Sequence, residues 1–453
     1  MEKITASFRD PSGFVFRNNG ILYRRINDCY KATFAKFIEN GLYQKLLNED
    51  LIIPHKVISH DTIQPTEIFI SYPYEWSFEQ YKDAALTTLY IQKIALSYNM
   101  SLKDATPYNI QFYNGKPVLI DTLSFEEFSN QPWVAYNQFC KMFLAPLSLM
   151  AYTSQQLSCL MKDFINGIPL DLCANLLPVR ARFNIGLLFN IFLHAKSQKK
   201  YEDNTKINIK KLTLTKKQQE NIVDSLIDCI RGLKIKEEKT EWGNYYSNTN
   251  YTKNSFEKKK EIVKKYLKNL TPKKVWDLGG NTNVFSDIAI AHGAEVVSFD
   301  IDYMAVNKSY SNMKARSTKS LLPLVMDLTN PSPSIGWAND ERDSLTKRAV
   351  NVDCIMALAL IHHLAISNNL PFEKIADYFH KLSENLIIEF VDKQDSQVQK
   401  LLFSRKDIFD QYTKQKFEEI FSLYYDIIEK EDIPFSHRTI YLMKEKKIVK
   451  EFC

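Results

Sequence analysis

The sequence predicts an α/β protein, with a mostly parallel, seven-stranded sheet in the C-terminal half preceded by an α+β N-terminal region. Two observations carry this expectation. From Val275 onward, short runs that are nearly all apolar alternate with stretches of helical periodicity. That is the pattern of parallel strands covered on both faces by crossover helices. Before that point the chain is punctuated by Pro and aromatic residues, with helical and strand-like stretches mixed. At 453 residues and 45% hydrophobic composition, the chain is long enough for two or three cored domains.

The C-terminal elements follow in order. Val275–Leu278 is a short apolar strand and Val284–Ala291 a helix. Glu295–Ile301 is a strand, with a helix near Ala305–Met313. Leu321–Met326 and Val352–Leu358 are strands, Phe372–Leu382 a helix and Leu386–Val391 a strand. Phe417–Tyr425 is helical, and two β-like runs, Asp426–Glu429 and Thr439–Met443, close the series as an antiparallel edge. Upstream, Ile222, Leu226, Ile230 and Leu233 recur at helical spacing, as do Ile262, Val263, Tyr266, Leu267 and Leu270. The expected organisation is an N-terminal domain over 1–205, a basic helical linker over 206–245 and a C-terminal domain over 246–453.

Composition excludes several classes. The apolar runs Met142–Tyr152 and Ile185–Ala195 fall short of the ~18–20 residues of a membrane span. Met1–Thr5 lacks the apolar core of a signal peptide. Seven cysteines form no CxxC pair, which argues against a metal ribbon or disulfide scaffold and for a reducing, cytoplasmic setting. Net charge is +6, and Lys196–Lys274 holds 21 Lys/Arg against 10 Asp/Glu. Such a segment can bind polyanions. Its poverty in Arg favours a solvated face, the run Lys258–Lys260 included, and nucleic acid is not the expected partner.

The chemistry-bearing motif is Val275-Trp276-Asp277-Leu278-Gly279-Gly280-Asn281-Thr282-Asn283, at a strand end that opens a helix. Gly279 lets the chain turn tightly, and Asn281 and Asn283 tolerate positive φ better than other side chains. Asp300 ends the next strand, where a carboxylate can accept from a ribose diol. Asp327, followed by Leu328, ends the third. Carboxylates at successive strand ends converge on the carboxyl edge, where open α/β sheets bind ligands. No Walker Lys follows the glycines, and GxGxxG is absent. His362 and His363 follow the fourth strand and are candidate general bases, since imidazole titrates near neutrality. Asp392 and Asp395 follow the fifth, with Asp395 a third catalytic candidate.

This order resembles the class I S-adenosylmethionine-dependent methyltransferases, whose Rossmann-like sheet ends in a reversed edge strand. The resemblance covers roughly Tyr246–Lys446. It implies that Asp277, Gly279, Gly280 and Asn281 hold the amino-acid part of S-adenosylmethionine, that Asp300 holds the ribose, and that Asp327 and Leu328 lie by the adenine. Trp242-Gly243-Asn244-Tyr245-Tyr246, Asn330–Trp337, Glu389–Val398 and His437-Arg438-Thr439 further resemble the bacterial nodulation-protein-like (NoeA-type) methyltransferases. Substrates of that group are poorly defined; the acceptor stays unidentified, with a small molecule or saccharide favoured, and no metal is expected.

In the N-terminal half, Asn114-Gly115 between apolar runs marks a hairpin. Asp104 and Asn109 have the D-x4-N spacing of a phosphotransferase catalytic loop, and Asp121 follows the hairpin where such folds place a metal-binding acid. This resembles a protein-kinase-like core, with a reduced first lobe over Phe14–Pro54, Arg24 or Arg25 in its strand, a hinge strand over Ile70–Glu75 and a helix over Phe78–Tyr98. No Gly-rich phosphate loop is present, so Asp104, Asn109 and Asp121 are expected to be a vestigial or substrate-holding site. Two alternatives stay open: a non-catalytic cofactor-fold scaffold that binds nucleic acid through the basic linker, and a bifunctional protein with an ATP-using N-terminal domain.

Overall fold

The computed structural model describes residues 2–197, 213–236, 252–403 and 407–446. The chain divides into two compact units, Met1–Glu237 with Ser334–Arg342, and Glu238–Pro333 with Asp343–Cys453.

The first unit opens with a five-stranded antiparallel sheet. Its strands are β1 (Glu2–Lys3), β2 (Gly13–Asn18), β3 (Ile21–Ile26), β4 (His55–Ser59) and β5 (Thr62–Pro65), in the order β1-β2-β3-β5-β4. The sheet therefore runs past Pro54, where the sequence reading stopped: β4 is short and mostly exposed, with little apolar pattern to betray it. Helices Lys31–Glu39 and Leu42–Asn48 lie between β3 and β4. The expected hinge strand over Ile70–Glu75 is not a strand; it runs without regular structure into a 3-10 turn at Pro73–Glu75, because Pro73 lacks the N–H that a ladder needs.

The helix Phe78–Ser97 follows, its N-terminus closed by Gln80, which accepts from the Ser77 amide at 3.0 Å. Next come β6 (Met100–Leu102), β7 (Ile110–Tyr113), β8 (Lys116–Leu119) and β9 (Phe125–Glu127), paired β6 with β9 and β7 with β8. The β7–β8 turn is the expected one: Asn114 and Gly115 both have positive φ, +50° and +74°, as a two-residue hairpin turn requires.

The helix Lys216–Gly232, expected within the linker, packs against Phe78–Ser97 in the first unit. Val223, Leu226, Ile227 and Ile230 are buried there, and Asp224 pairs with Lys93 at 2.6 Å. The rest of the expected linker, apart from 213–215 and 233–236, and the Trp242–Tyr246 phrase lie outside the described residues.

The second unit holds a seven-stranded sheet: β10 (Lys274–Leu278), β11 (Glu295–Asp300), β12 (Leu321–Val325), β13 (Cys354–Ala357), β14 (Asn385–Val391), β15 (Tyr425–Asp432) and β16 (Arg438–Glu445). Its order is β12-β11-β10-β13-β14-β16-β15. The first five strands are mutually parallel and β16 is antiparallel to both its neighbours. The reversed strand therefore lies one place in from the edge. Helices Ser396–Phe403 and Lys414–Phe421 carry the chain over from β14 to a parallel β15 that leaves a one-strand gap, and the hairpin return fills it as β16. The helix expected over Phe417–Tyr425 stops at Phe421, and Tyr425 starts β15 instead.

Candidate functional site

The edge where β10 and β11 end is built by a glycine-bearing turn. Gly279 has φ +80°, and both Gly279 and Gly280 donate backbone N–H groups to the Phe299 carbonyl, at 2.8 and 3.1 Å. A Cβ on Gly280 would collide with Ser298 Oγ, so only glycine lets the turn sit this close to β11. Asn281 and Asn283 take left-handed backbone, φ +49° and +68°, as their side chains permit. Asn283 is also buried: its Oδ1 accepts from Ser298 Oγ at 2.6 Å, and its amide donates to Ser309 Oγ. A glycine at 283 would supply neither bond, which accounts for asparagine there.

Asp277 is buried under this turn and accepts from Ser286 Oγ at 2.6 Å. Burial pushes its carboxyl up to about 6, against the Ser286 bond, with Asp300 adding repulsion. Asp300 accepts the Asn281 N–H on one oxygen and the Asp302 N–H on the other, each at 2.9 Å. Burial lifts it to about 6 as well. Each of its oxygens keeps a second lone pair, so the carboxylate is aimed and can still accept from a diol. Ile301, the next residue, presents an exposed apolar side chain beside it. Asp327 is drawn into a local turn, accepting from the N–H and hydroxyl of Thr329 at 2.8 and 2.6 Å; Leu328 beside it is half-buried.

The rings of His362 and His363 lie 4.1 Å apart. Burial lowers His362 well below its usual value and takes His363 to about 4, with Arg438 opposing protonation of both. Both shifts lower the tendency of these imidazoles to take up a proton. Asp395 is buried and accepts two bonds from Arg438, at 2.7 and 3.1 Å.

Arg438 belongs to a buried network. Lys259 Nζ lies 2.6 Å from Glu389 Oε2, and Arg438 lies 3.5 Å from Glu389 Oε1. Burial pulls the Lys259 ammonium below its ordinary value, against the pull of Glu389. Glu389 also accepts the Ala359 N–H at 2.7 Å. Ala359 has φ +52°, a strained conformation for alanine, so the network pins the loop that leads to His362. The run Lys258–Lys260 is therefore not a uniformly solvated face. Lys259 falls three or four residues before Ile262 and Val263 and seven before Tyr266, on the buried face of its helix. That spacing was the available signal.

In the first unit, Asp104, Asn109 and Asp121 meet as their spacing suggested, but each is already engaged. Asn109 donates to one Asp104 oxygen at 3.1 Å and Gln138 to the other at 2.6 Å. Burial, then Asp121, raises the Asp104 carboxyl. Arg24, the inward member of the Arg24/Arg25 pair, binds Asp121 at 2.6 Å and Asp10 at 3.1 Å. Among the described residues no cluster of three or more His, Cys, Asp or Glu is placed to hold a metal.

No protein-family model matches the chain. The chain is 32% identical to nodulation protein NoeA of Rhizobium meliloti (strain 1021), over 98% of this chain and 96% of that one. Among solved structures, the bifunctional kinase-methyltransferase WbdD matches at 16% identity over 41% of this chain and 39% of that one, TM-score 0.29. Magnesium protoporphyrin IX methyltransferase (ChlM) from Synechocystis PCC 6803, with bound SAH, matches at 17% identity over 42% and 84%, TM-score 0.30. N-methyltransferase NodS from Bradyrhizobium japonicum WM9 matches at 8% identity over 43% and 97%, TM-score 0.30.

Proposed function

The chain belongs to the family of the nodulation protein NoeA, and on that premise we propose that it is an S-adenosylmethionine-dependent methyltransferase acting on a small-molecule or saccharide acceptor. The observation that carries this reading is the pairing of the Gly279–Asn281 turn with Asp300, at the carboxyl edge of a sheet ordered β12-β11-β10-β13-β14-β16-β15. The donor set suits the cofactor: an aimed carboxylate for a ribose diol, an apolar Ile301 for a flat base, and a glycine turn open at Gly279 for the methionine end. Asp277 supplies negative charge beneath an ammonium and keeps the turn closed through Ser286. Asp327 and Leu328 are assigned to the adenine side.

Bound there, the cofactor would supply a methyl group activated by a sulfonium. The chain's task is then to orient that group and its acceptor, which is where most of the rate of such a displacement arises. The low basicity of His362 and His363 favours acceptors that need no strong base, or that lose their proton to solvent. The six described cysteines are unbridged, which supports a reducing, cytoplasmic setting. Selection of the acceptor is assigned to the first unit.

Calorimetry of the full chain with S-adenosylhomocysteine tests the reading. Asp300→Ala is expected to weaken binding by about 1–3 kcal/mol, because ligand hydroxyls lose their acceptor. No binding by the parent chain, or equal binding by the variant, would overturn it.

A further inference from the structure

From Leu172 to Tyr201 the chain has no acidic residue but carries Arg180, Arg182, Lys196, Lys199 and Lys200. Within this stretch Val179–Phe183 forms a 3-10 turn. Residues 185–197 then form a helix that widens to a π turn over Leu188–Leu193. One face of the helix is buried through Leu187, Ile191, Phe192 and Ala195. A helix at a protein surface ordinarily turns polar residues to the other side. Here Ile185, Phe189 and Leu193 recur every four residues on that side, 71, 59 and 40% exposed. Just before them Val179 and Phe183 are 71 and 85% exposed. Single exposed apolar residues need no explanation, but five large ones within 15 residues do.

Among the described residues of this segment the charges are all positive. Arg180 and Arg182 are exposed, Arg180 anchored to the Tyr152 carbonyl at 3.0 Å and Arg182 lying over the Phe192 ring at 5.3 Å. Lys196 is exposed at the far end of the helix. A second copy of the chain docking by a twofold axis would bring these like charges together. An anionic lipid surface pairs with them and takes up the apolar side chains at the same time.

We propose that the turn Val179–Phe183 and the helix after it form a peripheral membrane-docking surface. Phe183, Ile185 and Phe189 enter the boundary between headgroups and acyl chains, and Arg180, Arg182 and Lys196 meet anionic headgroups. Because part of the attraction is between the basic side chains and anionic headgroups, the attachment is salt-sensitive.

The experiment is co-sedimentation of the full chain with vesicles of phosphatidylcholine alone, or with about one-third phosphatidylglycerol. The expected result is sedimentation with the anionic vesicles, weakened by salt. Arg180→Gln with Arg182→Gln should lower the partition coefficient by roughly fivefold per charge. Phe183→Ser with Phe189→Ser should lower it at least tenfold, on the order of the transfer of one buried phenylalanine. All four positions are exposed, so the variants should keep the parent's circular dichroism and cofactor affinity. Three results would overturn the proposal: no binding to either vesicle, equal binding by both double variants, or a dimer in solution that the Phe variant dissociates while vesicles remain unbound.

Discussion

Lys259 offers the sharpest test of the buried network. Among the described contacts Lys259 and Arg438 face Glu389 and Asp395, two charges of each sign. Lys259→Met removes one of these two cations and the direct bond to Glu389. Across 2.6 Å, with an effective dielectric of about 20, the lost attraction is about 6 kcal/mol. The ammonium's own desolvation cost is recovered in the variant, and the methionine sulfur replaces some of the contact that Lys259 makes with the Phe285 ring, 4.8 Å away. The net cost should be about 3–5 kcal/mol, as for other buried pairs that lose one partner. The double variant Lys259→Met, Glu389→Gln removes one charge of each sign and leaves the Ala359 N–H an amide oxygen to bond. It should be more stable than either single variant. Hydrogen exchange of the β14 amides in the full chain reads the opening free energy of this region directly. A loss below about 1 kcal/mol in Lys259→Met, or costs that simply add in the double variant, would refute the argument.

Two further predictions concern the two sites. Asp277 and Asp300 sit at about 6 in the free protein, and a bound ammonium and diol favour their ionised forms. Affinity for S-adenosylhomocysteine should therefore be full above pH 7 and fall through pH 6, by up to about tenfold per pH unit for each group. For stability of the free protein the sign is opposite: these raised carboxyls favour folding at low pH, and the benefit is lost as pH rises through about 6. Calorimetry from pH 5 to 8 checks the first and thermal melts check the second; a flat affinity profile would contradict the assignment. In the first unit, Arg24 occupies Asp121 and two amides occupy Asp104, so the full chain should not turn over Mg-ATP. Asp104→Asn should leave cofactor affinity unchanged, and phosphoryl transfer abolished by that substitution would make the protein bifunctional.

The second unit was legible because its strands are buried on both faces and so spell continuous apolar runs. Helices Val284–Ala291 and Phe372–Leu382 begin and end where the periodicity placed them. Positive φ at Asn281 and Asn283 was also readable, since few other side chains accept it. Partnership across long separations was not. Asp395 and Arg438 are 43 residues apart, and an acid after a strand looks the same whether it faces substrate or an arginine. Basicity was hidden in the same way: sequence gives the imidazoles of His362 and His363, while burial, with Arg438 near, lowers their basicity. In the first unit β4 and β5 escaped notice because a small, mostly exposed sheet buries too little to impose alternation, whereas the Asn114-Gly115 turn announced itself through backbone chemistry alone.

The placement of β16 has a consequence for synthesis. A chain made from its N-terminus can pair the first five strands of the second unit in the order in which they emerge, but β16 must slot between two strands made before it. Until it arrives, β14 presents an open edge along Leu386–Val391, a ready template for another chain. Glu389 and Asp395 also wait for Arg438, which opens β16. Whatever shortens the interval between β14 and β16, in the cell or in an expression host, should raise the yield of folded protein without altering a single native contact.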